Sequence, residues 1–283
     1  MVVCEKSLLV AVLAAVTSVG CAKPDACKPG QTAPALRSTR SPVAGQHIHA
    51  HAHNDYEHAH PLHDAVENRF YSAEADLWII GGELRVGHWP WDTKGTLDAL
   101  YLDPLQELVN RRGSVHGDGE SFTLWLDLKD GGAELRKALH QMLERYSMLT
   151  VYNGDDVQRG PVTVVLTGDS ASKAAFVKEN NPRRACRDSN DYSPDDPASD
   201  GAWLYYALDW ADWMTWDGVG EMPHQDRDQV ACIVQNAHAT GRKVRFYGAP
   251  DNERVWGAML ELGMDFINTD RLPELNGFLD VQP

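Results

Sequence analysis

The chain has 283 residues, of which 43% are hydrophobic and 24% are charged, and its formal net charge is -15 at pH 7. Such a composition is typical of a globular protein with enough apolar material for a core, so bulk disorder is not expected. The negative charge argues against a general nucleic-acid or anionic-membrane surface, because both partners select basic patches.

The first twenty residues have the pattern of an export signal. An apolar run from Leu8 to Val19 follows Lys6 and is too short to span a bilayer comfortably. The next residues, ending at Cys21, resemble the bacterial lipoprotein cleavage motif, although Ser18 stands where that motif usually has Leu. We expect a lipoprotein-type signal peptide over residues 1–20. The protein would be exported, either as a cell-envelope lipoprotein anchored through Cys21 or, with an ordinary cleaved signal, as a secreted or periplasmic protein.

Residues 21–45 are rich in Pro, Ser, Thr, Lys and Gly, which predicts a flexible tether. A single folded domain is expected over residues 46–280. Three further cysteines, Cys27, Cys186 and Cys232, match no zinc pattern, and their odd number defines no disulfide framework. One disulfide among them is possible, and the sequence does not assign it.

From residue 47 onward, strand-like apolar runs alternate with helical patterns, which predicts parallel strands joined by crossover helices. We predict strands at residues 47–52, 71–77, 122–128, 162–166, 203–206, 214–216, 243–247 and 266–268. We predict helices at residues 61–68, 97–111, 133–146, 171–179, 226–240 and 253–262. Residues 180–200, rich in Pro, Asp and Ser, indicate a long loop. The expected fold is a single α/β domain, a closed (β/α)8 TIM barrel.

Acidic and amide side chains follow the first three predicted strands. The active site of a parallel barrel lies at the carboxyl ends of its strands, so we expect these groups to converge there. Asn54 follows the first strand, Glu74 and Asp76 end the second on one face, and Asp127 ends the third. Neighbouring carboxylates repel each other unless a cation lies between them, and oxygen ligands favour Mg²⁺ or Ca²⁺. We therefore predict one divalent cation held by these four residues.

Two histidines flank the predicted metal ligands. His53 adjoins Asn54, and His88 follows a Gly-Gly turn and a short strand that would return it to the same mouth. Imidazole titrates near neutrality, so the pair suits general acid and base catalysis. The choice of His53 over His51 as the catalytic histidine rests only on its adjacency to Asn54. His51, Lys129 and Asp270 are candidate substrate contacts.

The motifs resemble a known superfamily. His53-Asn54-Asp55-Tyr56 is similar to the motif that opens the catalytic barrel of phosphoinositide phospholipases C, and Glu74-x-Asp76 with His88 resembles that family's next two motifs. Glycerophosphodiester phosphodiesterases and spider sphingomyelinases D share the latter. The fuller pattern is similar to a subgroup around altered inheritance of mitochondria protein 6, over most of residues 47–279. It comprises HAHNDY, PLHDAVENRFYSAEADLW, ELRVGH, TLDALYLDPLQELV, LDLK and INTDRL.

The resemblance implies a PI-PLC-like phosphodiesterase, that is, a metal-dependent phosphoric diester hydrolase. His53 would be the general base or nucleophile, and His88 would protonate the leaving group. The substrate would be a glycerophosphodiester or a phospholipid head group. No nucleic-acid partner is expected, membrane contact would occur only through Cys21, and the protein would be a monomer. One departure is Trp89, where relatives commonly have Asp after the Gly-His pair.

Two other functions remain open at this point. His51-x-His53 after a first barrel strand also resembles the zinc pair of amidohydrolases and PHP-type phosphoesterases, with Asp270 as a strand-eight ligand. Those sites need further ligands on middle strands, and residues 122–206 offer none that is convincing. A lipoprotein barrel that only binds a ligand is the non-catalytic alternative. Dependence on Mg²⁺ or Ca²⁺, zinc content, or inertness toward every phosphodiester would separate the three.

Overall fold

The computed structural model describes residues 25–31, 47, 49–154 and 156–281. The predicted signal peptide and Cys21 lie outside these residues, as does most of the predicted tether. Within the described ranges, no helix is both long and apolar enough to cross a bilayer.

Twelve strands occur in the described part of the chain. They are β1 (Ala50–Ala52), β2 (Ser72–Ile80), β3 (Glu83–Val86), β4 (Gly95–Thr96), β5 (Phe122–Leu128), β6 (Val151–Asn153), β7 (Asp156–Gln158), β8 (Val162–Gly168), β9 (Cys186–Ser189), β10 (Trp203–Asp209), β11 (Lys243–Tyr247) and β12 (Phe266–Thr269). Strands β1, β2, β5, β8, β9, β10, β11 and β12 pair in parallel in that order, and β12 pairs back with β1. The chain therefore forms the predicted closed eight-stranded barrel.

The helices of the described residues surround this barrel. They are α1 (His63–Glu67), α2 (Asp103–Arg112), α3 (Ala133–Leu143), α4 (Ser170–Glu179), α5 (Trp210–Trp213), α6 (His224–Ala239), α7 (Glu253–Glu261) and α8 (Leu272–Asp280). A short 3-10 turn spans Asp55–Glu57, and a π-helical turn, Asp98–Leu102, leads into α2. Strands β3 and β4 extend β2 as an antiparallel sheet edge outside the barrel.

Alternation along the strands separates two apolar layers. In β5, Leu124 and Leu126 belong to the large core between barrel and helices, whereas Trp125 belongs to a smaller cluster with residues such as Val165 and Phe266. Successive side chains of a strand point to opposite faces, so Asp127 shares the inward face of Trp125. This alternation directs the polar residues at the strand ends into the mouth of the barrel.

Two strand predictions need correction. Residues 214–216 form no strand: they follow α5, and the backbone amides of Thr215 and Trp216 donate to the Asp226 carboxylate instead. The fifth barrel strand is β9, which lies inside the predicted loop 180–200. Its sequence, Cys-Arg-Asp-Ser, is short and polar. The buried Asp188 is tolerated there because its Oδ1 accepts a hydrogen bond from the buried Lys173 Nζ of α4 (2.6 Å). Helix α8 and the β6–β7 hairpin were also not predicted.

Part of the predicted tether is fastened to the barrel. Cys27 forms a disulfide with Cys232 of α6, and Ala26 is fully buried. The amide of Ala26 donates to Gln229 Oε1 (2.7 Å), while Gln31 Nε2 donates to Gln235 Oε1 (2.8 Å). The segment 25–31 therefore runs along α6 in the same direction as the helix.

We expect the Cys27–Cys232 disulfide to stabilise the fold, because it closes a loop of 205 residues in sequence. The Cys27→Ser variant should lose about 2–4 kcal/mol in free energy of unfolding. Urea denaturation followed by circular dichroism measures the loss. Reductant should lower the midpoint of the parent and leave that of Cys27→Ser unchanged; equal midpoints for the parent with and without reductant would contradict the prediction.

Candidate active site

A cavity of about 400 Å³ opens at the carboxyl ends of the barrel strands. It is lined by His53, Asn54, Glu74, His88, Asp127, Lys129, Thr167, Gly168, Asn190, Arg245 and Tyr247. Six of the nine predicted site residues are among these, Asp76 lies directly behind them, and His51 and Asp270 do not line the cavity.

Three carboxylates converge at one side of this cavity. Asp76 and Asp127 are aligned across the β2–β5 pair, with Glu74 two residues earlier on the same face. One oxygen from each lies within 4.8 Å of the others. Burial raises the pKa of both aspartates; the second cause is the charge of Asp127 for Asp76 and of Glu74 for Asp127.

Two oxygens of this cluster lack hydrogen bonds. Asp76 Oδ1 and Asp127 Oδ1 are buried and have no partner among the described residues. The Lys129 ammonium donates to Asp127 Oδ2 at 2.8 Å and forms an ion pair with Asp76 Oδ2 at 3.1 Å. Burial opposes the charged form of Lys129, but the two aspartates outweigh it and raise its pKa. Lys129 therefore remains a cation and leaves both Oδ1 atoms free for another ligand.

The donor set fits a hard divalent cation. Ionised, the three carboxylates carry three negative charges, and Lys129 and Arg245 carry two positive ones, so one negative charge remains. A bound divalent cation would make the mouth positive by one charge and would satisfy the unpartnered oxygens. Carboxylate oxygens at this spacing are the ligands that Mg²⁺ and Ca²⁺ prefer. Asn54, which lines the same cavity, is positioned to add an amide oxygen.

Glu74 forms a buried ion pair at the base of the cavity. Its Oε2 accepts a hydrogen bond from Arg245 Nη1 at 2.6 Å, and the guanidinium stacks over Trp125 with 4.1 Å to the ring centroid. Burial opposes the charged carboxylate, but Arg245 and a hydrogen bond from His51 hold the pKa of Glu74 well below its usual range. Glu74 is therefore ionised in the folded protein.

The expectation that His51 contacts substrate needs correction. Its side chain is fully buried, with Nδ1 2.7 Å from Ser72 Oγ and Nε2 3.1 Å from Glu74 Oε2. Burial lowers the pKa of His51 to about 4, so the ring is neutral at pH 7. His51 supports Glu74 from inside the barrel.

His53 and Asp270 form a pair at the rim. His53 Nδ1 lies 2.8 Å from Asp270 Oδ1. A carboxylate only accepts hydrogen bonds, so Nδ1 carries the proton and Nε2 is the basic atom of the neutral ring. Burial opposes the charged form of His53, but Asp270 and Glu74 outweigh it and raise its pKa. Asp270 therefore orients His53. The sequence had predicted a substrate contact for Asp270, and not this role.

His88 lies against the acidic cluster. Its Nδ1 is 3.1 Å from Asp76 Oδ2, and its side chain is about half exposed (47%). The Tyr56 hydroxyl donates to the same oxygen (2.8 Å) and also lies 3.1 Å from Asn54 Oδ1. Different carboxylates thus hold the Nδ1 atoms of the two predicted catalytic histidines, and Nε2 of each ring stays available for proton transfer.

The loop after β1 needs an unusual backbone at Asn54, whose φ is 45° and ψ is 42°. Asparagine tolerates this left-handed region better than most residues do. Asp55, which sequence reasoning did not single out, holds the loop: its buried Oδ2 accepts from the Leu62 amide (2.5 Å) and the Tyr101 hydroxyl (2.9 Å). Burial raises the pKa of Asp55 to about 6.

Sequence reasoning also missed Arg245 and Gly168. A charged residue inside an apolar strand such as Lys-Val-Arg-Phe-Tyr was the available signal for Arg245, since buried charges are rare unless paired. Gly168 ends β8 at φ +82°, and a Cβ there would lie 2.0 Å from Asp127 Oδ1. Nothing in the local sequence shows that contact, because it joins two different strands.

Comparison with known proteins connects this site to one family. Residues 42–188 match the family model described as AIM6-like phosphodiesterase domain. Proteins named altered inheritance of mitochondria protein 6 are similar over most of the chain. That of Lachancea thermotolerans is 26% identical, with 80% of this chain and 64% of the relative aligned. That of Eremothecium gossypii is 27% identical, with 91% and 75% aligned, and that of Saccharomyces cerevisiae 28%, with 78% and 68% aligned.

The chain spans just under two thirds of the Lachancea relative's length. No solved structure matches the chain. The family match ends at residue 188, so it contains both catalytic candidates and the acidic cluster, whereas Arg245 and Asp270 come from the part beyond it.

We expect Arg245→Met to destabilise the protein by about 3–5 kcal/mol, because it leaves Glu74 as a buried charge without its partner. The Glu74→Met/Arg245→Met double variant removes both charges and should unfold closer to the parent. Urea denaturation of the three proteins tests this. A double variant less stable than Arg245→Met alone would show that the buried pair is not the cause.

We expect Asp270→Asn to lower the pKa of His53, because it removes both the negative charge and the carboxylate acceptor that raise it. Proton NMR of the His53 Cε1–H across a pH titration measures the shift. Asp64→Asn on α1, whose carboxylate contacts the exposed His60 instead, is the matched control and should leave His53 unchanged. A His53 titration identical in the parent and Asp270→Asn would remove Asp270 from this role.

Proposed function

Because this chain belongs to the AIM6-like phosphodiesterase domain family, we propose that it is a metal-dependent phosphoric diester hydrolase. Its substrate would be a glycerophosphodiester or a phospholipid head group, and its cofactor one Mg²⁺ or Ca²⁺ ion. The enzyme would act outside the cytoplasm, as the pattern of residues 1–21 predicts, and as a monomer.

One observation carries the proposal. The unpartnered Oδ1 atoms of Asp76 and Asp127 lie beside Glu74, in a cavity that two histidines with separate carboxylate partners border. Burying like charges with unsatisfied oxygens is costly unless the site serves a cation. A metal position between a base and an acid suits metal-assisted hydrolysis of a phosphodiester.

His53 would act as the general base. The Asp270 hydrogen bond keeps the proton on Nδ1, so Nε2 can accept a proton from the attacking hydroxyl, whether of water or of the substrate itself. Glu74, Asp76, Asp127 and Asn54 would hold the ion, whose positive charge would offset the negative charge that develops on the phosphate. Lys129, already a cation at the same mouth, would add a second positive contact to the phosphate.

His88 would act as the general acid. Asp76 accepts from its Nδ1 and orients the ring, so that Nε2–H of the protonated ring would protonate the departing alkoxide as the phosphorus–oxygen bond breaks. The proton that His53 gains and the one that His88 gives up balance over the reaction. The zinc alternative has less support, since His51 is engaged with Ser72 and Glu74 rather than directed to a shared ligand position with His53.

The acid role predicts a dependence on the leaving group. His88→Ala should slow release of an alkyl alcohol such as glycerol by about 10²–10⁴-fold, the usual range for general acid catalysis. The loss should be much smaller for a p-nitrophenyl diester, whose leaving group departs without protonation. Product release by the parent and His88→Ala in Mg²⁺, Ca²⁺ or EDTA measures both effects.

His63→Ala is the matched control, because His63 is an exposed histidine on α1 outside the cavity. It should retain full activity on both substrates. An equal loss on the two substrates in His88→Ala would assign His88 to binding instead of acid catalysis, and turnover that persists in EDTA would reject the metal.

The metal site can be tested without turnover. Asp127→Asn should bind Mg²⁺ or Ca²⁺ more weakly than the parent does, because it lacks one of the proposed charged ligands. Isothermal titration calorimetry measures both affinities. Asp64→Asn should bind like the parent, although Asp64 belongs to a second His-acid cluster on α1. Equal affinities in all three proteins would place any bound ion elsewhere.

A further inference from the structure

Exposed apolar side chains concentrate at the mouth of the barrel. Five large apolar residues are exposed among those that the structure describes: Ile80, Trp89, Trp91, Val219 and Val281. Trp89 and Trp91 lie in the loop that follows His88, and they are 50% and 78% exposed. Their rings stack on each other, with centroids 5.2 Å apart and planes within 7°. An exposed tryptophan pair is unusual on a soluble surface unless it meets a partner.

A second apolar tip lies across the mouth from this pair. Val219, 76% exposed, lies in the loop between α5 and α6, which follows β10. Loops that follow barrel strands lie at the same end as the active site. The tryptophan loop follows β3, which pairs with β2, and β2 and β10 are four positions apart in the ring of eight, so the two tips lie on opposite sides of the cavity. Two apolar tips that flank an opening suit a flat partner better than a peptide seated in one groove.

The N-terminal segment approaches from the same end. Segment 25–31 runs parallel to α6, and Ala26 contacts Gln229 in the first half of that helix, which begins at the mouth. The Cys27–Cys232 disulfide holds it there. Cys21 is four residues before Asp25, which limits their separation to about 14 Å in an extended chain. A lipid on that cysteine would therefore enter a membrane near the mouth.

We propose that the mouth of the barrel docks on a zwitterionic lipid bilayer through Trp89, Trp91 and Val219. Tryptophan favours the interface between head groups and acyl chains. The net charge of -15 opposes anionic lipid. Lys94, in the tryptophan loop, is already paired with Asp92 (3.3 Å) and Glu57 (3.6 Å), so it adds no free positive charge there.

Docking in this orientation brings phosphodiester head groups to the cavity. It therefore selects the phospholipid branch of the proposed substrates, a step that rests on the proposed function. The docking surface itself does not depend on turnover.

The test uses tryptophan emission from the full chain with phosphatidylcholine vesicles, whose acyl chains are or are not brominated. Bromine quenches tryptophans that reach the acyl region. Residues 1–77 contain no tryptophan, so insertion of an apolar N-terminal segment alone gives no signal. We expect a blue shift and quenching in the parent, and loss of both in Trp89→Ala/Trp91→Ala. The single variant Trp91→Ala, at a largely exposed position, should show a partial loss.

Val281→Trp in the parent, where docking is retained, is the matched control, and its signal is the emission added relative to the parent. Val281 is equally exposed but follows α8, whose Asp280 contacts His47 ahead of β1 at the opposite end of the barrel. Its new tryptophan should not be quenched. Absence of quenching in the parent, undiminished quenching in the double variant, or quenching at position 281 would each overturn the proposal. Release of choline or phosphocholine from the same vesicles, in Mg²⁺ or Ca²⁺, is scored separately, so inserted but inactive protein would count against the proposed function and keep the docking surface.

Discussion

Three carboxylates gathered at one end of a closed barrel, two of them buried and the third partly buried, are the constraint on which the rest of the site depends. Strand alternation and the β2–β5 register bring Glu74, Asp76 and Asp127 together, and the barrel leaves them little water. Charges of one sign in such a place must be compensated. Arg245 compensates Glu74 from below, and Lys129 bridges the two aspartates from above. One negative charge and two unpartnered carboxylate oxygens remain. Such a position is suited to a divalent cation.

The same constraint explains why the two rim histidines differ. His88 takes its partner from within the cluster, Asp76, whereas His53 takes Asp270 from the end of β12, on the other side of β1. Each carboxylate holds one ring nitrogen and leaves the other available. Because the partners are separate, each ring is oriented independently of the other. His51, two residues from His53, does not reach the cavity because the barrel interior encloses its side chain completely.

How far the site could be predicted depends on where its parts lie in the chain. The carboxylates on β2 and β5 come from short motifs in which residues two apart share a face, so their convergence follows from local periodicity. Arg245 and Gly168 could not be found in that way, because each matters through a contact with another strand. β9 was missed for a related reason. Its inward Asp188 is satisfied by Lys173 of α4, so the strand carries little of the apolar signal that marks the others.

By itself the sequence determined the closed barrel class, the end of the barrel at which the candidate site lies and the identity of most polar residues there, because strand period and motif spacing are local properties. The tertiary structure alone decided which histidine reaches the cavity, which cation balances Glu74 and which cysteine pairs with Cys27. It also decided that Trp89 and Val219 stand on opposite sides of one opening. Those outcomes depend on distances between segments far apart in the chain, and such distances exist only once the barrel closes.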